Sequence, residues 1–532
     1  MKFLNLSFTP DTIEPVDIVF GGWSPDAEEL NNPGSLEALN VIPLNGIYAP
    51  WREFFPFPGA QMPDFVFNGR RIYGFTTAGN KNDIRAMFGG KQGIYEVKYN
   101  FTTDTFSIVT RLLLSQDEWV DRFYPWAFSQ FGRFLVVHHH NCTMRYIDIS
   151  DPDASFAPIE NSPTALASAR IGDILMAIGA DDPYIARWSA FDNIFLPWET
   201  DPATQSDFQP FPVEYGALTC IVGGFSDDTG VLFQERAIWV ASYVGVPGVF
   251  DFRLVETQRG AIGPNAAAAV GSLIYYLSED GVYVFNGTES KPVGDGRVNE
   301  YIRRTLDWQT RLRTQVAIDV QNGLVAWLYP SLSDINDSRR EVYPMKELLI
   351  YSYKDNKFTH ANVSMQALID TNVFPELGER FFPSLENLPT TPPFANLDTD
   401  TISLDDIWRN TQRPILGGVE EYGFYGMFVG ANAEATIDTA EYTAPGGLRV
   451  FVNAIHPIVD VARPMCRAMV FSKDQFASGW IRTESYTDQE IDGSIPVLGE
   501  GRFVRFRLVI PRNVYWNAAT GVSVQRTSQG KV

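Results

Sequence analysis

The sequence predicts an all-β fold, a β-propeller of four-stranded blades. One of the two observations behind this prediction is the alternation of short apolar runs with turns between residues 266 and 287. The run AAAAV (266–270) is made of small residues, whereas LIYYL (273–277) and VYVF (282–285) are bulky. Asp280-Gly281 and Asn286-Gly287 are typical hairpin turns between such strands. A change from small to bulky strands suits a wedge-shaped blade whose inner strand crowds a central axis.

The other observation is an aromatic residue that recurs in the predicted strands. Its positions are separated by 51, 42, 51, 44 and 68 residues, and the last step spans a polar insertion at 331–341. Spacings of about 40–50 residues per four-stranded unit are typical of a propeller. A large β-sandwich with coincidental spacing is the alternative. The six aromatic residues are Tyr95, Tyr146, Trp188, Trp239, Tyr283 and Tyr351.

The composition permits a large core and opposes several classes of function. Of the 532 residues, 45% are hydrophobic and 14% aromatic, and the 42 Gly and 34 Pro fit a chain of many turns. The formal net charge is −22, which opposes broad binding of a phosphate backbone. The three cysteines, Cys142, Cys220 and Cys466, are far apart, which argues against a disulfide framework or a zinc module. No window approaches a membrane span, and no secretory signal is expected.

Three domains are predicted along the chain. Residues 1–66 form an extended arm, which either closes the propeller by adding a strand or reaches a neighbouring subunit. Residues 67–445 form the propeller, interrupted by the polar insertion and by an acidic, Pro-rich insertion at 371–410. Long loops of this kind are often functional or disordered.

Residues 446–532 are predicted to form a C-terminal, β-rich docking domain. Arg502, Arg505 and Arg507 alternate with apolar residues, as on a strand with one polar face. From residue 501 to 532 there are six basic residues and no acid, which suits docking on an acidic neighbour. A solvated strand face with a frayed tail is the alternative.

No motif indicates catalysis, and the sequence predicts neither an enzyme nor a cofactor. A glycosidase needs two carboxyl groups about 5–9 Å apart. The sialidase turn motif has one imperfect match, at 278–283, which is better interpreted as a hairpin. We therefore interpret Asp192, Glu235 and Asp280 as turn or surface residues. P-loop, nucleophile-elbow and HExxH motifs are missing from the sequence.

Three consecutive histidines raise the question of a metal. His138 and His140 would share one face of a strand, with Cys142 behind them. Tetrahedral zinc needs four positions filled and a supporting shell, and the only other histidines are His360 and His456. The prediction is a polar strand edge and no metal site, with a zinc site as the alternative.

Several stretches, in the same order, resemble the tail nozzle proteins of short-tailed bacteriophages, which stabilise the packaged DNA. The resemblance extends over most of the chain but is poor between residues 300 and 445. The stretches are NPGSLEALNVIP (32–43), NGIY (45–48), RWS (187–189) through Trp198, GG (223–224), FQERAI (233–238), RGAIGP (259–264), LSEDGVYVFNG (277–287), GRFVRFR (501–507) and WNAATGV (516–522).

The resemblance implies a structural role and no enzymatic activity. Such proteins are expected to form a ring, here a homohexamer, below the portal and its adaptor, which retains the packaged genome and conducts double-stranded DNA during ejection. The implied partners are other copies of the chain, the head-to-tail adaptor proteins, and tail fibre, spike or needle proteins. The expected location is the virion tail, after assembly in the cytoplasm of the host bacterium.

Two groups of residues are predicted to serve that role. Neither the arm nor the C-terminal block fits a blade, so both are assigned to subunit interfaces; the acidic insertion is assigned to the lumen or a gate, with an exposed outer loop as the alternative. Other functions that remain open are a tail-fibre adaptor or hub and a carbohydrate-binding or glycosidase propeller. The interface residues are Asn32, Pro33, Gly34, Tyr48, Trp51, Arg502, Arg505, Arg507 and Trp516, and the lumen residues are Asp398, Asp400, Asp405 and Asp406.

Overall fold

Seven four-stranded blades follow one another around a central axis, and a β-sandwich is joined to the sixth of them. The N-terminal segment contributes five strands: β1 Glu14–Val19, β2 Ala38–Leu39, β3 Val41–Leu44, β4 Ile47–Pro50 and β5 Phe55–Gln61. The computed structural model describes residues 14–27, 34–74, 83–100, 105–115, 118, 120–121, 123–333, 344–372, 414–443, 449–461, 465–475, 481–482 and 486–529.

The first five blades are antiparallel sheets whose strands are consecutive in the chain. In each, the first strand is the innermost and the fourth the outermost. Blade 1 has β6 Val66–Gly74, β7 Asp83–Gly90, β8 Gly93–Asn100 and β9 Thr105–Leu113; blade 2 has β10 Ala127–Phe131, β11 Phe134–His139, β12 Cys142–Asp148 and β13 Ala157–Pro158; blade 3 has β14 Ala167–Ile171, β15 Ile174–Ile178, β16 Ile185–Trp188 and β17 Asp207–Pro210; blade 4 has β18 Leu218–Ser226, β19 Thr229–Gln234, β20 Ala237–Gly245 and β21 Val249–Glu256; blade 5 has β22 Ala267–Val270, β23 Leu273–Ser278, β24 Gly281–Phe285 and β25 Ser290–Pro292.

One long strand belongs to both of the last two blades. A short helix, α1 (Asn299–Thr305), leads into blade 6, which has β26 Gln315–Asp319, β27 Leu324–Tyr329, β28 Met345–Ser352 and the first half of β29 Lys357–Asn372. The pairing of β29 changes at Met365, beyond which it pairs with β30 (Pro414–Glu420) instead of β28. This second half of β29 is the inner strand of blade 7, which continues through β30 and β31 (Phe424–Met427).

The N-terminal segment supplies the outermost strand of blade 7, because β5 pairs with β31. The interface between blades 7 and 1 is apolar, and in it the ring of Phe57 stacks on Phe106 with 4.5 Å between centroids. Near the axis, the side-chain oxygen of Gln366 accepts a hydrogen bond from the backbone N–H of Val66 at 2.7 Å. A strand that precedes blade 1 in sequence therefore closes the ring.

The recurring aromatic residue marks the third strand of each blade. Tyr95, Tyr146, Trp188, Trp239, Tyr283 and Tyr351 lie on β8, β12, β16, β20, β24 and β28. In blade 7 the same place is taken by Tyr425 on β31, which is 1% exposed. The predicted β-propeller fold is thus confirmed, and the described residues place its blade number at seven.

A buried ionic cluster joins blade 1 to a connection of blade 2. Glu96 is 1% exposed and accepts a 2.8 Å hydrogen bond from Arg85. Arg111 is ion-paired with the same carboxylate and donates to the carbonyl of Ala154 at 2.9 Å. The two guanidinium groups neutralise the charge of the Glu96 carboxylate between them. A buried charge requires such paired and hydrogen-bonded partners.

The C-terminal strands form the sandwich together with strands from the N-terminal segment. One sheet has the order β3-β4-β40-β34-β38, with β1 paired to β40; the other has β2-β32-β39-β35, with β33 on β39 and with β36 and β37 on β35. Val452, Phe506 and Trp516 belong to one buried cluster between these sheets. The strands are β32 Ala435–Asp438, β33 Tyr442–Thr443, β34 Arg449–Val461, β35 Arg467–Lys473, β36 Ile481–Arg482, β37 Thr487–Asp488, β38 Ile495–Gly501, β39 Phe503–Ile510 and β40 Trp516–Gln529.

The sandwich is joined edge to edge with blade 6. Leu39 on β2 pairs in parallel with His360 on β29, and antiparallel with Thr436 on β32. The sheet of blade 6 therefore continues through β2 into the sandwich. The segment predicted as an arm is divided between the sandwich (β1 to β4) and blade 7 (β5). Among the described residues, no helix has the length and apolar character that a membrane crossing requires.

Replacing Phe57 by Ala should destabilise the closed ring. Phe57 is 5% exposed in the interface of blades 7 and 1. Removing a buried aromatic ring costs about 3–5 kcal/mol. Urea unfolding followed by tryptophan fluorescence would measure this loss.

The matched control is Phe208→Ala, because Phe208 is 44% exposed on the outer strand of blade 3. Its expected effect is about 0.5 kcal/mol. Equal unfolding midpoints for the two variants would contradict the closing role of β5.

Candidate functional site

The N-terminal segment, blade 6 and the sandwich meet at one junction. There the indole ring of Trp23 stacks on the imidazole of His360, with 4.3 Å between centroids and 12° between planes. Glu37 is hydrogen-bonded to Nε2 of His360, whose backbone carbonyl accepts from the N–H of Asn40 at 2.8 Å. A side chain on the outer strand of blade 6 is therefore enclosed by residues from the first 40 positions.

The charge on Glu37 is stabilised at this junction. Burial alone would raise the pKa of its carboxyl group. The hydrogen bond and the charge of His360 act in the opposite direction, and the pKa of Glu37 is held below its usual range. Glu37 thus holds the N-terminal segment to blade 6 through a charged contact.

A second charged contact lies where β32 pairs with β39. Asp438 is fully buried and accepts two hydrogen bonds from Arg507, at 2.6 and 2.9 Å. Arg505 approaches the same carboxylate at 3.7 Å. A bidentate Arg–carboxylate pair fixes geometry as well as charge, so this contact sets the register of the two strands. Ser35 also donates to the backbone carbonyl of Asp438, which ties the N-terminal segment to β32.

The two segments predicted as interfaces come together in the sandwich, yet four of the seven predicted contact residues that the structure describes face the chain's own core. Tyr48, Trp51, Arg505 and Trp516 are 1%, 6%, 7% and 0% exposed. Their side chains contact the same chain, as in the packing of Trp51 on the ring of Phe428 at 4.8 Å.

The remaining predicted interface residues are placed differently. Arg502 is exposed, Arg507 is paired with Asp438, and Gly34 is buried. Asn32 and Pro33 lie outside the described residues, as do the four predicted lumen residues Asp398, Asp400, Asp405 and Asp406. Their roles in assembly and in the lumen stay predictions.

The three histidines do not converge on a common point: His138 contacts residues leading into blade 3, whereas His139 and His140 contact Tyr124. His138 hydrogen-bonds the carbonyl of Ala165 through Nδ1 at 3.0 Å and the hydroxyl of Ser168 through Nε2 at 2.8 Å. His139 contacts the carbonyl of Tyr124, and His140 stacks on the ring of Tyr124. Strand β11 ends at His139, so the alternation that would place His138 and His140 on one face does not extend that far. Within the described part of the chain, no group of three or more His, Cys, Asp or Glu side chains is placed to hold a metal ion.

Ser168 and His138 have the spacing of a nucleophile and its base, but their surroundings indicate a different role. His138 is fully buried, Ser168 is 9% exposed, and Ser168 also contacts the hydroxyl of Ser129 at 2.7 Å. Ser129 and Ser168 lie on the innermost strands of blades 2 and 3. Enclosed in this way, the three side chains form a polar bridge between two blades.

A polar cavity of about 490 Å³ lies beside blade 5. Arg259 lies over the ring of Tyr283 at 4.6 Å, and the hydroxyl of Tyr283 donates to Asp280 at 2.7 Å. Asp26, from the N-terminal segment, accepts hydrogen bonds from the backbone N–H groups of Glu300 and Tyr301 in the first turn of α1. Asp280 is thus a turn residue, as its sequence indicated, and its side chain also forms part of a cavity wall. The other residues around the cavity are Pro292, Asp295, Gly296, Asn299, Glu300 and Arg303.

Comparison with known proteins finds similar solved structures but shows no family. No protein-family model matches the chain. No curated protein matches it either. Among solved structures, the β-propeller domain of Cps50 (Swd1) from Myceliophteria thermophila is similar, with 11% identity and a TM-score of 0.35 over 59% of this chain and 92% of that one. A nidogen/laminin complex is similar with 9% identity and a TM-score of 0.31, over 52% of this chain and 93% of that one. Similarity at this level carries no argument about function.

Replacing Asp438 by Asn should destabilise the sandwich. The substitution leaves the charges of Arg505 and Arg507 without their buried carboxylate. Removing one partner of a buried ion pair costs about 3–5 kcal/mol. Urea unfolding, followed by tryptophan fluorescence, would report the loss.

Asp488→Asn serves as the control, because Asp488 forms an exposed pair with Arg467 in the same sandwich. An exposed pair contributes about 1 kcal/mol or less. If both variants unfold at the same urea concentration as the natural protein, Asp438 does not hold the sandwich together.

Acid should destabilise the propeller through His138 and His139. Burial lowers the pKa of His138 to about 4; burial, followed by the charge of His140, lowers that of His139 to about 3. An unfolded histidine has a pKa of about 6.5, so the unfolded state takes up protons first as the pH falls. The stabilisation that each neutral ring contributes is fully present above about pH 6.5. It is lost as the pH falls, down to about pH 4 for His138 and about pH 3 for His139. For His138 this amounts to roughly 3 kcal/mol.

Urea unfolding between pH 4 and pH 7 tests this linkage. The natural protein should lose stability steadily as the pH falls, and His138→Gln should show a shallower pH dependence even if it is less stable at pH 7. His456→Gln is the control, because His456 is only half-buried, on β34 of the sandwich. Parallel pH profiles for the natural protein and His138→Gln would contradict the prediction.

Proposed function

We propose that this chain is a structural subunit of a bacteriophage tail nozzle, which forms a ring below the portal and its adaptor, retains the packaged genome and conducts it during ejection. The observation that carries the proposal is the series of stretches that resemble this family. These stretches are distributed over both domains. Those near the two ends of the chain include β2, most of β3, most of β39 and half of β40 in the sandwich, and LSEDGVYVFNG (277–287) covers the end of β23 and all of β24 in blade 5.

The arrangement of the two domains supports assembly into a ring. The propeller and the sandwich are two domains of one chain, and each presents its own surface. They are joined by the sheet that continues from blade 6 through β2. A ring of identical subunits needs two different, complementary surfaces on each copy. A body with a domain projecting from one side offers such a pair. Arg502, which is exposed on the sandwich, is the predicted interface residue best placed to contact a neighbour.

The charge of the chain supports a conduit for DNA. A net charge of −22 opposes broad binding of a phosphate backbone, which needs clustered Lys and Arg. Repulsion between two unit charges at 4 Å in water is about 1 kcal/mol. It is screened beyond about 10 Å at 0.1 M salt. A wall of this kind lets a duplex pass without binding it or stopping it.

Purified full-length protein should form six-subunit rings, visible by negative-stain electron microscopy and measurable by light scattering. In virions, antibody labelling of the chain should mark a ring below the head. Labelling of a fibre or side appendage, or a protein that stays monomeric also when mixed with the adaptor, would contradict the proposal.

Arg502→Glu should weaken the ring and leave the fold intact, because a charge reversal at an exposed interface residue disrupts a complementary contact. Arg133→Glu is the control: the side chain of Arg133 is 63% exposed on blade 2, outside the predicted interface. Rings of equal stability from both variants would remove Arg502 from the interface and leave the nozzle proposal to the labelling experiment.

A further inference from the structure

One surface of blades 3 and 4 combines exposed apolar side chains with carboxylates. It consists of the loop 189–206 between β16 and β17, the turn 226–229 between β18 and β19, and the turn 245–249 between β20 and β21. We name these three segments the acidic aromatic face. Five large apolar side chains in or directly beside this face are exposed to solvent. Their exposed fractions are 43% for Phe191, 44% for Phe195, 39% for Leu196, 59% for Val244 and 62% for Val246. Contiguous exposed apolar surface of this kind marks an interaction site.

The three segments form one continuous surface. The ring of Phe191 lies 6.0 Å from that of Tyr243 on β20, and the hydroxyl of Tyr243 donates to the side chain of Gln205 at 2.8 Å. The backbone N–H of Tyr243 donates to the carbonyl of Asp228 at 2.9 Å. On the other side, Phe195 packs against Tyr146 of blade 2 at 4.7 Å. The loop of blade 3 therefore spans from blade 2 to blade 4.

The long loop is anchored, so its exposed side chains are fixed in place. Within it, Ile194 and Trp198 are each 1% exposed. The indole of Trp188 donates to the carbonyl of Gln205 at 2.9 Å, and Ser206 donates to the carbonyl of Glu199 at 2.6 Å. A loop that buries its own anchors and still exposes apolar side chains is preorganised for binding, which lowers the entropy lost on association.

The three segments of the face carry charge of one sign, from Asp192, Glu199, Asp201, Asp227 and Asp228. Arg170, which borders the turn 226–229, is paired with Asp173. From residue 188 to 235 the sequence has eight acidic residues and no Lys or Arg. Elsewhere carboxylates are commonly paired, as Glu118 is with Arg145 and Asp148 with Arg133. Within the described part of the chain, no ion pair neutralises any of the eight. They are Asp192, Glu199, Asp201, Asp207, Glu214, Asp227, Asp228 and Glu235.

We propose that the acidic aromatic face docks a cationic segment of another protein, one in which Lys or Arg residues alternate with apolar side chains. The carboxylates supply the charge complementarity, and the exposed rings and valines supply the apolar contact that holds the segment. A second copy of this chain fits the surface poorly, because each copy carries a net charge of −22 and two arginines of its basic strand, Arg505 and Arg507, already pair with Asp438. Nucleic acid is repelled by the same carboxylates. The inference does not depend on the nozzle assignment.

A labelled dodecapeptide of alternating arginine and leucine is the probe, with a glutamate–leucine peptide as its negative counterpart. Fluorescence anisotropy with the full-length protein should show saturable binding of the arginine peptide, weakened by salt. Glu199→Lys combined with Asp227→Lys should weaken binding about tenfold or more, since close charge pairs dominate such contacts. Phe191→Ser combined with Phe195→Ser should weaken it about fivefold, because exposed rings are the apolar anchors.

The matched control is Glu214→Lys combined with Glu235→Lys. It makes the same change of charge on the same blades, but Glu214 and Glu235 lie where β18 starts and β19 ends, at the face opposite to the turn 226–229. Retained binding in the control and lost binding in the other two variants is the expected result. Equal weakening in all three, or unchanged binding in all three, would overturn the proposal. So would self-association of the natural protein that the Phe191/Phe195 variant abolishes, because that result assigns the face to a second copy.

Discussion

Closure of the ring is the constraint on which the rest of the structure depends. Each blade has two faces to cover, and the described residues form a buried apolar cluster between every pair of neighbouring blades, including blades 7 and 1. The last of these contacts is made with β5, which comes from before blade 1 in sequence. A closed ring covers both faces of every blade, and pairing β5 to β31 removes an exposed edge that an open arrangement would leave.

Edge pairing also explains why the two ends of the chain share a domain. The outer strand of blade 6 pairs with β2, and β2 pairs with β32, so a sheet that starts at the propeller axis ends in the sandwich. Strands β3 and β4 follow β2 in the chain and belong to the opposite sheet of the sandwich, in which β4 pairs with β40. The terminal segments are therefore parts of the folded core, and the charged contacts of Glu37 and Asp438 hold them at the point where three segments converge.

The sequence predicted what local patterns encode and missed what distant pairing decides. Six of the seven third-strand aromatics were visible as a repeat, whereas Tyr425 lies 74 residues after Tyr351, across the acidic insertion. The pairing of Phe55 with Met427 joins strands more than 300 residues apart, which no local pattern can indicate. The alternation of Arg502, Arg505 and Arg507 correctly indicated a strand. The sequence did not indicate that this strand pairs with β32, which carries the buried Asp438. Three arginines that looked alike in the sequence therefore have different surroundings in the structure.

The acidity of the chain has two physical meanings, which net charge alone does not separate. Glu96 and Asp438 are neutralised by arginines in the interior and serve the fold. The eight carboxylates between residues 188 and 235 have no ion-pair partners among the described residues, and their mutual repulsion opposes folding by a small amount for each pair. In the isolated chain, the folded surface gains nothing from this unpaired charge or from the exposed parts of the Phe191 and Phe195 rings beside it. Both features become favourable together only when a cationic, apolar surface covers them, which is why they are better explained by a contact than by the fold.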